Sequence, residues 1–346
     1  MTNFNETKSF WSRWLVATGI ALLNLAGQMS LLTFTPIVYQ TAAFLNVSTK
    51  KIITLSSIGF PIMFLMGFIA MCKIDKFGIY YPVVISAWIQ SLGAIVRCVG
   101  VDTKNYYVLL SGQVLTYIGT PFANLCTSKV ACLWFNQEQT AFANALMSLA
   151  IPLGFLLAAV LGTLIVGDSG AITDGSFQKL TIICLLISVL GSLLVTIFLK
   201  YPHGKKHDSK GVPILPPSLA ALKIQMGFWR SCKKLIMNKY YWIHFIPSSI
   251  SIGYFLVMAV NTSVILCPLG FSKNFSTLYS IGIEIGSGLT FFGVPVVTHS
   301  GFLLSIDTRI DFLDLMGPLR GPATGPGLAG PHLAAALLKL LYRVYT

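Results

Sequence analysis

Eight long apolar stretches occupy most of the 346-residue sequence, and they leave few choices of fold. A helix needs about 20 mostly apolar residues to cross the hydrocarbon core of a bilayer, where the backbone must satisfy its own hydrogen bonds. Each stretch has about this length. We therefore predict an all-α membrane protein with about eight transmembrane helices, at residues 14–39, 52–72, 79–100, 106–128, 141–166, 180–199, 241–266 and 278–304.

The composition excludes the main soluble classes of protein. Hydrophobic residues make up 55% of the chain and charged residues only 10%, whereas about a quarter of the residues of a soluble domain are charged. The net charge of +13 lies in the segments between the apolar stretches. The predicted partner is therefore the lipid bilayer and not nucleic acid. The seven cysteines form no CxxC pair, and we predict neither a metal site nor a cofactor.

The basic residues predict the orientation of the chain. With a cytosolic N-terminus, fourteen Lys and Arg residues fall in inner segments before the last span and five in outer segments, as the positive-inside rule expects. We predict a multi-pass protein of the plasma membrane with a cytosolic N-terminus. The Asn-x-Ser triplets at Asn46 and Asn274 then face the outside, and both asparagines are predicted to carry glycans.

One basic segment, residues 200–240, holds nine basic residues and separates six predicted spans from two. This division predicts a cytosolic N-terminus, a six-helix N-terminal half, a basic cytosolic loop, a partial C-terminal half of two helices, and a divergent, disordered tail rich in Gly and Pro. These five parts cover residues 1–13, 14–199, 200–240, 241–304 and 305–346.

No catalytic constellation is visible, because the five histidines are scattered and no HExxH or nucleotide-binding motif occurs. An enzyme is therefore not predicted, and two groups of helices around a basic loop favour a secondary transporter. Polar side chains inside the spans either line a solute cavity or hold helices together. The candidate cavity residues are Asn24, Gln28, Thr33, Gln113, Asn144 and Asn261.

Two charged residues stand out within the predicted spans. Glu284 is the carboxylate that lies well inside an apolar stretch, and we predict that it is a partner for a proton or a cation. Arg97 lies near the outer end of the third span. We expect its side chain to reach the membrane surface and anchor the helix there.

A charged turn, Lys73-Ile-Asp75-Lys76-Phe-Gly78, follows the second predicted span on the cytosolic side. An acid at this place can cap a helix N-terminus and hold a basic partner, which locks one conformation. Asp75, Lys76 and Gly78 therefore form a candidate conformational latch. The alternative is an ordinary charged turn that ends at a glycine.

A family resemblance rests on Ser128-Lys-Val-Ala-Cys-Leu-Trp134-Phe135, followed by Ala143-Asn144-Ala145 and Pro152-Leu-Gly154. These segments resemble solute carrier family 49 of the major facilitator superfamily, the feline leukaemia virus subgroup C receptor-related transporters. The resemblance covers residues 13–276. Further similar segments are Arg13-Trp14, Leu23-Asn24, Phe34-Thr-Pro36, Ile74-Asp75 to Gly78 and Gly112-Gln113.

The resemblance implies a fold of twelve spans in two halves, and a facilitator or exchanger that moves small organic solutes by alternating access. Haem, choline and ethanolamine are the substrates it implies. Where choline-binding members of the family have a Trp, a Gln and a Tyr, this chain has Leu31, Pro152 and Leu256. Tyr254 or Phe255 is then the candidate aromatic ring for an organic cation.

The eight predicted spans also leave the second half incomplete. The alternative hypothesis is a truncated, non-transporting form that binds or regulates a full-length relative. Co-purification with such a relative, without intrinsic solute flux, is the observation that favours it.

Overall fold

The computed structural model describes residues 4–135, 137–166 and 174–199, together with isolated positions between 233 and 282. The secondary-structure elements of the three continuous ranges are all helices, as the sequence predicts. They are α1 (Phe4–Leu32), α2 (Val38–Leu45), α3 (Thr49–Ser57), α4 (Gly59–Phe77), α5 (Tyr80–Asp102), α6 (Tyr106–Trp134), α7 (Gln137–Val166) and α8 (Asp174–Phe198).

Within the described residues, five helical stretches are long and apolar enough to cross a membrane. They are Trp11–Leu32, Thr49–Phe77, Tyr80–Asp102, Gln139–Val166 and Gly175–Phe198. Helix α6 has 29 residues but is less apolar than these five, because it carries buried Gln and Thr side chains. It packs against α1, α4, α5 and α7, and a helix enclosed by others need not be apolar on every side.

The last two predicted spans lie mostly outside the described residues. The described positions from Tyr241 to Val260 are helical. Val260 is buried in a cluster with Met29 and Leu31 of α1, and Leu256 packs against the same cluster. Of the eighth span only Gly282 is described.

Helix α1 ends at Leu32, although the apolar stretch continues to Tyr39. Proline has no backbone N–H, and its ring clashes with the carbonyl of the residue four positions earlier. Pro36 therefore cannot bond the Leu32 carbonyl. That carbonyl instead accepts hydrogen bonds from the Thr35 backbone N–H at 3.3 Å and from Thr35 Oγ1 at 2.9 Å.

Successive long helices alternate in direction, with α4 continuing α3, and they define two ends of a bundle. We call the end where α1 begins the near end, and the end where α1 finishes the far end. A buried cluster at the near end includes Val16, Ile74, Trp134 and Phe135. A second cluster at the far end includes Phe34, Leu45, Leu109 and Phe177. Apolar contact thus fixes both ends of the bundle.

Glycines allow α5 and α6 to lie unusually close together. They occur seven residues apart on each helix, at Gly93 and Gly100 on α5 and at Gly112 and Gly119 on α6. A methyl group at Gly112 would lie 2.6 Å from the Arg97 backbone nitrogen, and one at Gly119 would lie 2.5 Å from the Ser86 carbonyl oxygen. Small residues of this kind let membrane helices pack backbone against backbone.

Candidate functional site

An ion pair joins α4 to α6 at the near end. Asp75 lies near the end of α4, and Lys129 lies in the last two turns of α6. The Lys129 ammonium donates to Asp75 Oδ1 at 2.7 Å, and the two side chains are 26% and 56% exposed, respectively. Water still reaches both charges, so the pair is worth only about 0.2–1 kcal/mol to stability. It is therefore better suited to opening and closing than to holding the fold.

Neighbouring residues of α6 extend this contact to α1 and α7. Ser128 Oγ donates to Asn144 Oδ1 of α7 at 3.1 Å. The rings of Trp14 on α1 and Phe135, at the end of α6, meet edge to face with centroids 5.1 Å apart. We call Asp75, Ser128, Lys129 and Asn144, together with this aromatic pair, the near-end network. The sequence segment Ser128 to Phe135 thus reaches three other helices.

The structure places the three predicted latch residues as follows. Asp75 pairs with Lys129, which the sequence reading did not include in the latch. Lys76 is exposed and its ammonium lies 5.4 Å from the centre of the Phe77 ring. Gly78 ends α4 with φ of 77° and ψ of −176°, a conformation that is essentially restricted to glycine. The clue to Lys129 was its position in the segment on which the family resemblance rests.

Two amide side chains cross between helices in the middle of the bundle. Asn24 Nδ2 of α1 donates to the Met147 carbonyl of α7 at 3.4 Å. Gln90 Nε2 of α5 donates to the Leu23 carbonyl of α1 at 3.0 Å. Their carbonyl oxygens, Asn24 Oδ1 and Gln90 Oε1, have no donor within the described part of the chain, and the same holds for Asn124 Oδ1 on α6. The centre of the bundle therefore presents acceptors without donors.

A second polar group lies nearer the far end, between α1 and α6. Gln113 Nε2 donates to the Ser30 carbonyl at 2.8 Å, and the Tyr117 hydroxyl donates to the Leu55 carbonyl at 2.9 Å. Thr33 Oγ1 bonds to the Met29 carbonyl of its own helix at 2.6 Å. Gln113 and Tyr117 thus hold helices together, and Gln113 Oε1 has no donor among the described residues.

Arg97 belongs to this polar group, and the prediction of a surface anchor for it is wrong. Its side chain is only 1% exposed. The backbone of α5 at Arg97 faces Gly112 of α6, so the side chain points into the bundle and not towards the membrane surface. Its guanidinium lies over the Phe34 ring, 5.5 Å from the ring centre. Nε and both terminal nitrogens have no oxygen acceptor within the described ranges, and the Cys184 thiol is the weak acceptor nearby.

The predicted cavity residues do not come together in one place. Asn144 lies in the near-end network, Asn24 in the middle, and Thr33 and Gln113 nearer the far end. Gln28 is buried where α1 meets α7, because Gly154 allows the two backbones to approach. Four further predicted site residues lie outside the described residues: Tyr254, Asn261, Asn274 and Glu284.

An open, largely apolar cavity of about 470 Å³ lies between α4, α5 and α6. None of the described cavity candidates lines it. Its lining residues with polar groups are Lys73 at the end of α4, and Tyr81 and Ser86 on α5. Its apolar lining includes Met66, Ile85, Ile118 and Phe122. The polar core of the bundle and this cavity are therefore separate features.

The fold and its buried polar core define a class of membrane carrier. Residues 9–305 match the family model of the Major Facilitator Superfamily, and the chain belongs to that superfamily. The fold is also similar to the crystal structure of the D-xylose-proton symporter, with a TM-score of 0.52 at 17% identity, over 87% of this chain and 69% of that one. A likeness at this identity concerns the fold alone.

The relatives that the chain matches include members of solute carrier family 49, which confirms the resemblance seen in the sequence. Solute carrier family 49 member A3 of Danio rerio is 29% identical over 312 residues, which is 88% of this chain and 61% of the relative. The Xenopus tropicalis protein of the same name is 27% identical over 78% of this chain and 55% of the relative. The choline/ethanolamine transporter FLVCR1 of Felis catus is 27% identical over 153 residues. The chain thus spans 55–61% of the length of the first two relatives.

Proposed function

We propose that this multi-pass membrane protein is a facilitator or exchanger that moves small organic solutes by alternating access, with no catalytic chemistry of its own. The superfamily to which the chain belongs supports transport across a membrane. The relative from Felis catus is named for choline and ethanolamine, and these two solutes, with haem, are the substrates to test first.

The observation that carries this proposal is the set of unused acceptors in the middle of the bundle. Asn24 Oδ1, Gln90 Oε1 and Asn124 Oδ1 are buried without a donor among the described residues. Each such acceptor costs about 1–3 kcal/mol when it is left unpaired. A bundle that served only to anchor a protein would gain nothing from this cost. A carrier gains a polar interior that accepts hydrogen bonds from a passing solute.

Alternating access also needs contacts that break without unfolding the protein. The near-end network has this property, because its ion pair is half exposed and links α4, α6 and α7 through single side chains. In our proposal Asp75 and Lys129 close the near end in one access state, with Gly78 setting the turn after α4. Lys76 remains a member of the proposed latch, beside Phe77.

The remaining parts of the proposal follow from the sequence. We propose that residues 14–199 form one transporter half, with loop 200–240 leading to a second half at 241–304. The near end then faces the cytosol, and the protein resides in the plasma membrane. The proposed glycan sites are Asn46 and Asn274. Asn46 is exposed and caps the C-terminus of α2 in a left-handed conformation.

Uptake of labelled choline, ethanolamine and haem into cells that express the chain tests the proposal. We expect saturable uptake of at least one of the three above that of cells with empty vector. The Asn24→Leu variant removes one of the central acceptors. It is expected to lower this uptake about tenfold, the cost of one lost hydrogen bond of about 1.4 kcal/mol.

Ser111→Ala is the matched control, because Ser111 is an exposed polar residue of α6 that bonds its own helix. Its uptake should equal that of the unchanged chain. All values are divided by the amount of folded protein, measured by size-exclusion chromatography. The proposal fails if well-folded protein takes up none of the three solutes in a saturable way.

A further inference from the structure

Arg97 carries a positive charge in the interior of the bundle. The residue is 1% exposed, and its side chain is the largest of the fully buried ones among the described residues. It lies on α5, between Gly112 of α6 and Phe34 at the far end of the first span. The side chains of Tyr117 and Cys184 are close enough to interact electrostatically with its charge. Three helices and the segment after α1 thus enclose one guanidinium.

No acidic side chain in the described part of the chain neutralises this charge. Only two acidic side chains are described there, Asp75 and Asp102. Asp75 is paired with Lys129 at the near end. Asp102 accepts a hydrogen bond from Gln178 at 2.6 Å, at the exposed far end. Arg97 therefore has no counter-charge among these residues, and the thiol of Cys184 beside it is only a weak acceptor.

The Phe34 ring compensates for only part of the cost of burial. A cation over an aromatic face gains about 0.5–2 kcal/mol, whereas a buried ion without a partner loses several kcal/mol of hydration. The dipole of α5 is favourable for a cation near its C-terminal end, but its effect falls off within the last turn. Arg97 lies more than one turn before the helix ends at Asp102. The site is therefore complementary to an anion.

The shape of the free groups favours a carboxylate over a spherical ion. A guanidinium offers a planar fork of N–H donors that matches the two oxygens of a carboxylate. None of the three nitrogens of Arg97 has an oxygen acceptor among the described residues. Nearby, Gln113 Oε1 is a buried acceptor without a donor among the described residues, and it suits a hydroxyl or amino group on the same molecule.

We propose that Arg97 anchors a binding site for the carboxylate of a small organic solute in the far half of the bundle. The inference rests on the proposed function, since the solute is the one the carrier would move, and it deepens that function by naming the chemical class. Of the three solutes to test first, choline, whose only charge is a quaternary ammonium, would meet repulsion from Arg97, whereas haem carries carboxylates. A solute with a carboxylate gains a charge-assisted contact at the same place.

Thermal unfolding of the purified full chain in detergent tests this site without any transport step. The melting temperature is measured with 100 mM sodium acetate and with 100 mM sodium chloride, two salts of equal ionic strength. We expect acetate to raise it above the chloride value by about 2 °C, the size expected for a ligand present well above its dissociation constant. This excess should disappear in the Arg97→Gln variant.

Lys51→Gln is the matched control, because it removes the same charge from an exposed position at the far end. Acetate also stabilises many proteins without binding, and that general effect should persist in both variants. Arg97→Lys keeps the charge but not the planar fork, so the excess should fall to less than half. This variant keeps the test decisive if Arg97→Gln does not fold.

Three results would overturn the proposal. One is the same melting temperature in chloride and in acetate, which shows that the site does not prefer a carboxylate. Another is an unchanged acetate excess in both Arg97 variants. The third is an acetate excess that appears only after Glu284→Gln, which assigns the carboxylate to the chain itself. None of these depends on solute uptake, so a failure of transport and a failure of this site are distinguishable.

Discussion

The near-end network and the polar group around Arg97 differ in how their charges are exposed and paired. At the near end, Asp75 and Lys129 are partly exposed and paired at 2.7 Å. In the far half, Arg97 is buried and has no counter-charge within the described residues. An exposed pair gains little from its partner, because water already solvates both charges. A buried charge depends on a partner for most of its stability.

The comparison teaches that the two regions suit different needs of the proposed carrier. A weak, exposed pair is cheap to break and to form again, which suits a contact between access states. A buried and unpaired charge is costly unless a ligand neutralises it, which suits recognition. Four changes, in order of decreasing effect on the folded protein, test this difference.

The largest effect is expected at the glycine contact that holds the Arg97 backbone in place. Gly112→Val places side-chain atoms where a Cβ already lies 2.6 Å from the Arg97 nitrogen and 2.8 Å from the Gly93 carbonyl oxygen. Overpacking against backbone costs about 1–3 kcal/mol or more. We expect the yield of monodisperse protein in size-exclusion chromatography to collapse.

Gly67→Val is the control for that change, since the closest atom to a Cβ at Gly67 is Leu125 Cδ1 at 3.9 Å. Its yield should stay close to that of the unchanged chain. Equal yields for the two variants would show that the close contact of α5 with α6 contributes little to the fold.

An intermediate effect is expected from Phe34→Leu, which removes the ring under the Arg97 guanidinium. The loss combines a cation–π contact of about 0.5–2 kcal/mol with a smaller change in packing. Thermal unfolding should show a lower melting temperature. In a double-mutant cycle the cost of Phe34→Leu should shrink once Arg97 is replaced by Gln, because the ring then has no cation above it. Additive costs would separate Phe34 from the charge.

A small effect on stability is expected when the near-end pair is broken. Lys129→Gln should cost about 0.2–1 kcal/mol, since both partners are partly exposed. Its effect on access should be clearer: a thiol reagent should label cysteines near this end faster. Lys73→Gln is the matched control, because Lys73 is an exposed lysine of α4 outside the latch, with its ammonium 5.3 Å from the centre of the Phe77 ring. If the two variants label alike, Lys129 has no special part in the latch.

The smallest effect is expected at the predicted glycan site. Asn46→Gln should change stability by less than about 0.5 kcal/mol, as is usual for exposed substitutions, but should shift the mobility of the protein on a gel if a glycan is lost. Asn5→Gln changes the Asn-Glu-Thr triplet in α1, before the first predicted span, and should leave the mobility unchanged. A shift for Asn5 alone would reverse the proposed orientation.

Hydropathy is the reason why most of the fold could be predicted from the sequence. The six predicted spans between residues 14 and 199 coincide in order with α1, the pair α3 and α4, α5, α6, α7 and α8. They coincide because the cost of burying polar groups in lipid acts on every turn of a span. Helix ends are less well determined. Pro36 ends α1 before the apolar stretch does, and α6 continues to Trp134, past Lys129, because that lysine has a carboxylate partner in the structure.

The sequence by itself thus determined that the protein is an all-helical membrane protein. It also determined the segments that carry the family resemblance and the polar residues that lie inside the spans. Only the tertiary structure decided which of these residues meet. A membrane helix is apolar on most sides, so its pattern does not say which side faces a neighbour. Arg97 near the end of a span had two directions open to it, out to the surface or into the bundle. The glycines of α5 and α6 bring the two backbones together and leave Arg97 inside.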